Sequence, residues 1–346
     1  MKLIEALDEL IKTVNIDKLN DNLKKFIIFV KKIEFESIKY NFNDKENYIS
    51  KIYIIESLEK ILNENSLKRK IYYCEQLKKA LLIEKTTKYN DINLNRWQEY
   101  DDIFLDSLWI IKERDKTGTH KGDYWGNFVP QIPNQLFRRY TKKNEWIIDP
   151  FLGSGTSLIE AKRLGRNGIG IELQKEVASV ASDRINNQVG EGLFNILVGN
   201  SKNIDLRIEL EKNKIDKVQF ILLHPPYWDI IKFSQDKEDL SNSNTLKEFL
   251  DNLGKIIDNI SKHLEKYRFA SIVIGDKYQN GEWIPLGFYC MQEFQKRGFI
   301  LKSTVIKNFE ETKGKKNQRK LWEYRALSGG FYLFKHEYIF IFQKVK

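Results

Sequence analysis

The sequence predicts a mainly α-helical N-terminal domain followed by a doubly wound α/β domain built on a mostly parallel sheet. Three observations carry this reading. All six prolines lie between Pro130 and Pro285, so the first 129 residues contain none. From about residue 145 short β-type runs alternate with helical stretches, the pattern of strands joined by crossover helices. The first of those runs ends in a glycine-rich loop, and ligands of such folds sit beyond the carboxyl ends of the strands.

In the N-terminal part, apolar residues recur at three- and four-residue spacing, as in Leu23, Phe26, Ile27, Val30 and Ile33, and again in Ile52, Ile55, Leu58 and Ile61. That period predicts amphipathic helices sharing a core, and we assign residues 1–110 to this helical domain. Residues 111–346 form the second domain. Its strands are expected at Trp146 to Asp149, Gly168 to Leu173, Asn195 to Val198, Phe220 to Leu223, Ala270 to Ile274, Ile300 to Lys307 and Tyr338 to Gln343. Its helices are expected at Ser157 to Leu164, Lys175 to Gln188, Thr245 to His263 and Leu286 to Arg297. No internal repeat or low-complexity segment interrupts the pattern.

Composition narrows the class. The chain has 346 residues, 41% of them hydrophobic and 31% charged, and no apolar run reaches the ~18 residues of a membrane-spanning helix. The opening MKLIEALDELIK mixes acids and bases at helical spacing and has no apolar signal core, so a cytoplasmic protein is expected. Cys74 and Cys290 cannot form a disulfide framework or a zinc site by themselves; buried thiols and no metal are expected. The net charge of +10 suggests a polyanionic partner. Residues 1–100 contribute little to it, with 19 basic against 16 acidic residues.

The most informative stretch is WIIDPFLGSGTSLIEAKRLGRNGIGIEL. A strand ends at Asp149, a loop carries Gly153 and Gly155, and a helix follows. Glycines suit a tight turn that a bulky ligand must approach closely. Glu172 ends the next strand, 23 residues after Asp149, where an acid can accept from two ribose hydroxyls. The loop lacks the Lys-Ser/Thr ending of a triphosphate loop and is not the GxGxxG of dinucleotide enzymes. It resembles the S-adenosylmethionine region of DNA amino-methyltransferases, whose first motif is DPFxGSGT.

That resemblance implies a Rossmann-like S-adenosylmethionine-dependent methyltransferase sheet. It further implies that Asp149, Phe151, Gly153, Ser154, Gly155 and Thr156 surround the methionine part of the cofactor and that Glu172 holds the ribose. Asn200 stands where the family usually has an acidic residue near the adenine. The upstream stretch HKGDYWGNFVPQIPNQLF resembles, by position, the family segment that packs over the methionine moiety. Gly126, Asn127 and Gln131 are its candidates, whereas His120 is expected at the surface.

A second motif follows an apolar strand: His224, Pro225, Pro226 and Tyr227. Two prolines stiffen the loop and leave its carbonyls free to accept, which suits an amino group. In the resembling family the pattern is Asp/Asn/Ser-Pro-Pro-aromatic. There the first side chain and the carbonyl between the prolines accept from an exocyclic amine, and the ring stacks on a base flipped out of the helix. His224 departs from that set, yet a neutral imidazole can accept one hydrogen bond. Trp228 is left between a second stacking face and the core.

The resemblance covers residues 120–346 and implies double-stranded DNA as partner. DNA contact is expected from a basic segment near residues 302–330. Lys302 to Arg325 holds eight basic and three acidic residues, and we read it as a loop in which Lys313, Lys315, Lys316, Arg319 and Trp322 are the candidate contacts. The polar segment Lys232 to Asn244 is a candidate to close over the base. The helical domain is assigned to DNA contact or to pairing with a second copy, and a cognate restriction endonuclease is a further candidate partner. Adenine N6 and cytosine N4 both remain open as targets. The alternatives are a methyltransferase acting on RNA or on protein glutamine, and a non-catalytic nucleic-acid-binding homologue.

Overall fold

The computed structural model describes residues 3–43, 45–309 and 319–345. Two compact units emerge, one of Met1–Lys88 with Ile92–Ile103 and one of Tyr89–Asp91 with Phe104–Lys346. No helix among the described residues is long and apolar enough to cross a membrane.

The first unit contains α1 (Leu3–Ile11), α2 (Ile16–Lys31), a hairpin of β1 (Ser37–Phe42) and β2 (Lys45–Ser50), α3 (Lys51–Leu62), α4 (Leu67–Leu82) and a 3-10 turn at Leu94–Glu99. Asn15 starts α2 by accepting from the Lys18 amide at 2.9 Å, the usual service of an N-cap. Leu23, Phe26, Ile27 and Val30 are buried as their spacing requires. In α3 the core stripe is Ile54, Leu58 and Ile61, while Ile52 is 65% exposed, so the stripe begins two residues later than the periodicity suggests. The hairpin was not expected either. Ile38, Tyr40 and Phe42 face the core from β1 and alternate with polar residues, whereas β2 offers only Ile49, so one strand carries the period of two and its partner does not.

The second unit runs β3 (Leu108–Trp109), α5 (Gln131–Tyr140), β4 (Trp146–Asp149), α6 (Thr156–Arg163), β5 (Asn167–Glu172), α7 (Lys175–Asn186), β6 (Phe194–Val198), α8 (Arg207–Lys212) and β7 (Val218–Leu223). It continues with α9 (Leu246–Ser261), β8 (Leu264–Ile274), a small hairpin of β9 (Lys277–Gln279) and β10 (Glu282–Ile284), α10 (Leu286–Lys296), β11 (Phe299–Asn308), α11 (Arg319–Gly329) and β12 (His336–Lys344). Its described residues build an eight-stranded sheet in the order β3-β11-β12-β8-β7-β4-β5-β6. The run from β6 to β8 is parallel, and β12 is antiparallel to both neighbours. The expected α/β class and its strands are therefore present. Helix α5 was missed because Pro133 reads as a breaker; it lies in the first turn, where its missing amide hydrogen would have had no helical partner.

The segment Lys302 to Arg325 is not one loop. Its beginning belongs to β11 and its end to α11. Val305 and Lys307 both face inward on β11, at 7% and 6% exposure. The strand expected at Ile300 to Lys307 is present, and what fails is the reading of those same residues as the start of a basic loop.

The order of the strands creates the site. From β4 the chain winds through β5 to β6 on one side, then returns to place β7 on the other side of β4. The loops after β4 and β7 leave the sheet side by side, and a crevice opens where the winding reverses. Helix α6 and the loop before it lie close against β5 because Gly168 and Gly170 carry no side chain: a Cβ at Gly168 would sit 2.1 Å from Leu158 Cδ2 of the helix, and one at Gly170 2.7 Å from Leu152 Cδ2 of the loop. Leu158 is fully buried among Ile159, Ala181 and Ile185 and has little room to yield. Gly168→Ala is expected to cost about 1–3 kcal/mol from overpacking. Denaturant unfolding measures this, and Leu158→Ala in the same chain should return much of the loss.

Candidate active site

Strand β4 ends in a carboxylate that cannot be left alone. Asp149 is 1% exposed; its Oδ1 accepts from the Phe151 amide at 2.9 Å and its Oδ2 from the Ser157 hydroxyl. Burial pushes its carboxyl up to about 6 despite these donors. The bonds fold the chain back into a tight loop in which Gly153 and Gly155 adopt φ of 51° and 87°, the left-handed region that glycine enters without strain. Gly155 also faces α7, where a Cβ would press on Ile185 at 3.1 Å and Ala181 at 3.3 Å.

Glu172, at the end of β5, locks the other side of this loop. Its Oε2 accepts from the Gly153 amide at 2.9 Å and its Oε1 from the Gln174 amide at 2.9 Å. Burial raises its pKa above the ordinary carboxylate value. Each oxygen keeps a second lone pair for another donor. The upstream segment is tied to the same loop, since the Thr156 hydroxyl donates to Asn127 Oδ1 at 2.6 Å and Asn127 Nδ2 donates to the Lys121 carbonyl at 3.1 Å. Gly126, with φ of 76°, leaves room for the Phe233 ring, 2.9 Å from where a Cβ would be. Phe233 also stacks with Tyr124, ring centres 6.3 Å apart, so the segment after the second motif closes onto the segment before the first.

Loop His224 to Tyr227 leaves β7 opposite. The His224 imidazole meets the Phe128 ring edge-on at 4.8 Å, and its Nε2 lies 3.4 Å from the Tyr227 hydroxyl. Tyr227 donates to Glu337 Oε2 at 2.8 Å, and Glu337 Oε1 is 3.0 Å from Lys307 Nζ. Burial pushes His224 down to about 4; Glu337 opposes this and Lys307 adds to it. The imidazole is therefore neutral at physiological pH. Gly275, at the end of β8, lets the Tyr227 ring approach the backbone, since a Cβ there would lie 2.7 Å from Tyr227 Cε2. Trp228 belongs to the core: it is 9% exposed, its Nε1 donates to the Ser243 carbonyl at 2.9 Å, and Lys277 Nζ sits 4.0 Å over its ring.

Both loops open on one cleft of about 1550 Å³. Asn127, Phe151, Gly153, Ser154, Thr156, Glu172, Asn200, His224, Pro225, Pro226, Tyr227 and Trp322 line it. Asp149 and Gly155 shape the loop from behind. Two expectations need correction, and one departure is explained. Gln131 does not line the cleft but bonds the backbone of Glu113 and Asp115. His120 is buried rather than exposed, with Nε2 2.6 Å from Glu160 Oε1, because Glu160 is itself buried and draws donors inward. Asn200 does not leave its corner without an acid: its Nδ2 donates to Glu238 Oε2 at 2.7 Å, and Lys202 Nζ pairs with the same oxygen at 2.6 Å.

Lys313, Lys315 and Lys316 lie outside the described residues. Arg319 opens α11, and half-buried Trp322 carries the Arg325 guanidinium 5.1 Å from its ring centre. Cys74 and Cys290 are buried free thiols. The sequence reading did not find Lys307, Glu337 or Glu238, because nothing near them in sequence marks them.

A family model described as DNA methylase, of the N6/N4 type, matches residues 9–183 and 218–346. The chain belongs to this DNA methylase family. The match takes in most of the helical unit and every strand of the large sheet except β6. Among curated relatives, the type II methyltransferase M2.LlaDCHI of Lactococcus lactis subsp. cremoris is 34% identical over 148 residues, 41% of this chain and 46% of that protein. The type II methyltransferase M.MjaII of Methanocaldococcus jannaschii is 28% identical over 212 residues, 60% of this chain and 32% of that protein. The type II methyltransferase M2.DpnII of Streptococcus pneumoniae is 34% identical over 140 residues, 38% of this chain and 44% of that protein. The aligned stretches thus span less than half the length of these relatives.

The methyl donor of this DNA methylase family is S-adenosylmethionine, and the cleft fits it. The glycine loop leaves its backbone open to close approach, and the Glu172 oxygens retain lone pairs for hydroxyl donors. Glu172→Gln replaces an acceptor pair with one acceptor and one donor facing two amides. Affinity for S-adenosylmethionine should fall on the order of 10-fold or more. Titration calorimetry giving wild-type affinity would refute the assignment.

Proposed function

We propose that the chain is a site-specific DNA methyltransferase that transfers a methyl group from S-adenosylmethionine to the exocyclic amine of a flipped adenine (N6) or cytosine (N4), within a bacterial or archaeal restriction–modification system. One observation carries the reading: the loop that fits the cofactor and the loop that fits an amine face one cleft where the sheet reverses its winding. Glu172 takes the ribose hydroxyls, and Asn200 with Glu238 the adenine corner. Asp149, Phe151, Gly153, Ser154, Gly155, Thr156 and Asn127 hold the methionine end.

When bound, the cofactor supplies an activated methyl group on a sulfonium. The chain contributes alignment. His224 and the Pro225 carbonyl accept the two amine hydrogens, drawing the nitrogen lone pair out of conjugation, and Pro226 keeps that carbonyl in place. Tyr227 presents the ring on which the base stacks. Lys313, Lys315, Lys316 and Arg319 grip phosphates, Trp322 reaches the base side of the cleft, and the helical unit adds DNA contact or pairs with a second copy. A cognate restriction endonuclease would read the same site.

Sequencing for modified bases in DNA from a host expressing the chain should show one methylated motif, on adenine or cytosine; wild-type chain that leaves no mark would overturn the reading. Neutralising Lys315, Lys316 and Arg319 should weaken DNA binding and lower the salt slope by roughly 0.9 per lost contact, with cofactor affinity intact.

The acceptor role of His224 has a sign in pH. A protonated imidazole cannot accept, and Phe128, Tyr227, Glu337 and Lys307 surround it. At saturating cofactor, single-turnover methylation should show an acid limb as His224 protonates near pH 4, separate from any loss of cofactor affinity as Asp149 protonates near 6. His224→Ala should abolish the step with cofactor binding retained. A wild-type rate in that variant would assign the imidazole a structural role.

A further inference from the structure

The polar wall behind Tyr227 comes from strands far from either motif. Lys307 on β11 and Glu337 on β12 are register partners across the antiparallel pair. Their side chains form an ion pair at 3.0 Å, and each is only 7% exposed. The lysine supplies the counter-charge that a buried carboxylate requires. The second oxygen, Glu337 Oε2, receives the Tyr227 hydroxyl hydrogen at 2.8 Å. A carboxylate only accepts, so this fixes where the phenol proton points. The Tyr227 oxygen is then left with lone pairs toward His224 Nε2, 3.4 Å away, and the imidazole can meet it only as a donor. A neutral imidazole carries one N–H, and the partner of one nitrogen decides the state of the other.

We propose that the Lys307–Glu337 pair is the positioning device of the amine-binding loop: by orienting the Tyr227 proton it sets His224 as the Nε2–H tautomer and makes Nδ1 the lone-pair nitrogen for the target amine. The inference rests on the reading of His224 as amine acceptor and extends it to two residues that act through Tyr227. Burial, which keeps the ring neutral, acts with it. The chain of donors runs Nε2–H to Tyr227, Tyr227 to Glu337 Oε2 and Lys307 to Glu337 Oε1, with no acceptor atom doubly claimed.

The test is direct because the chain has four histidines. Two-bond proton–nitrogen correlation on histidine-labelled full-length protein reports the tautomer of each ring, with His224 assigned by its loss in His224→Gln. Wild type should show Nε2–H. In Glu337→Gln the ammonium of Lys307 attracts the amide oxygen and turns the NH2 toward Tyr227. Tyr227 must then turn its O–H to donate a hydrogen bond to His224 Nε2, which inverts the neutral ring to the Nδ1–H tautomer. Single-turnover methylation at saturating cofactor should fall on the order of 100-fold, the scale of losing one aligned hydrogen-bonding group, with cofactor affinity unchanged.

Adding Lys307→Met to Glu337→Gln frees the amide to turn its oxygen back to Tyr227, so Nε2–H and most of the rate should return. A role confined to packing would instead leave the tautomer unchanged in Glu337→Gln and make the double variant worse. Wild type in the Nδ1–H form, or Glu337→Gln without inversion, would overturn the proposal. Should Glu337→Gln fail to fold, Tyr227→Phe removes the hydroxyl and spares the ion pair; it should yield a tautomer mixture, and pure Nε2–H there would also overturn it. Tautomer inversion together with a wild-type chain that methylates no DNA would uphold the hydrogen-bond device and remove the methylation reading instead.

Discussion

The structure depends on keeping two buried carboxylates satisfied. Asp149 and Glu172 end adjacent parallel strands, β4 and β5, and each oxygen of each carboxylate has a donor from the glycine loop, α6 or the turn after β5. An unpaired buried carboxylate costs several kcal/mol or takes up a proton, so the loop has little freedom to adopt another shape. Because the donors are mostly backbone amides, the side chains of the loop remain free for a ligand. The same bonds that stabilise the local fold leave the spare lone pairs of Glu172 facing the cleft.

Across the cleft the wall is made differently. Strands β11 and β12 form an antiparallel pair attached to β8, and they carry the Lys307–Glu337 pair to the back of the Tyr227 ring. On one side the polypeptide backbone does the holding; on the other, side chains do. The first arrangement tolerates a large, polar, multiply contacted ligand. The second orients a few atoms for one reacting group.

What was legible in the sequence follows from this contrast. Asp149, Glu172 and His224 to Tyr227 could be found because backbone-held sites leave local marks: glycines at a turn, an acid at a strand end, prolines after an apolar run. Family resemblance then supplied the cofactor. Glu337 is 110 residues from the hydroxyl it accepts, and no spacing rule spans such a distance. Lys307 was legible as the end of a strand, but nothing local marks its side chain as turned inward toward Glu337 rather than outward with a basic loop. His120 failed for a similar reason, its burial being decided by Glu160. The hairpin of the helical unit escaped because only its first strand alternates; the second offers one inward apolar residue, Ile49, and shows no period.

The two prolines have a consequence for the sheet itself. Pairing between β7 and β8 stops at Leu223 and Ile272, whereas β8 continues to pair with β12 as far as Ile274. Pro225 and Pro226 have no amide hydrogens with which to carry the β7 ladder further. The last residues of β8 thus keep a bare edge inside a closed protein, and the gap is taken by the Tyr227 ring lying against Gly275. A molecule normally guards such edges at its periphery. Here the seam lies in the middle of the sheet, and an aromatic side chain instead of a neighbouring strand covers the main chain at its end.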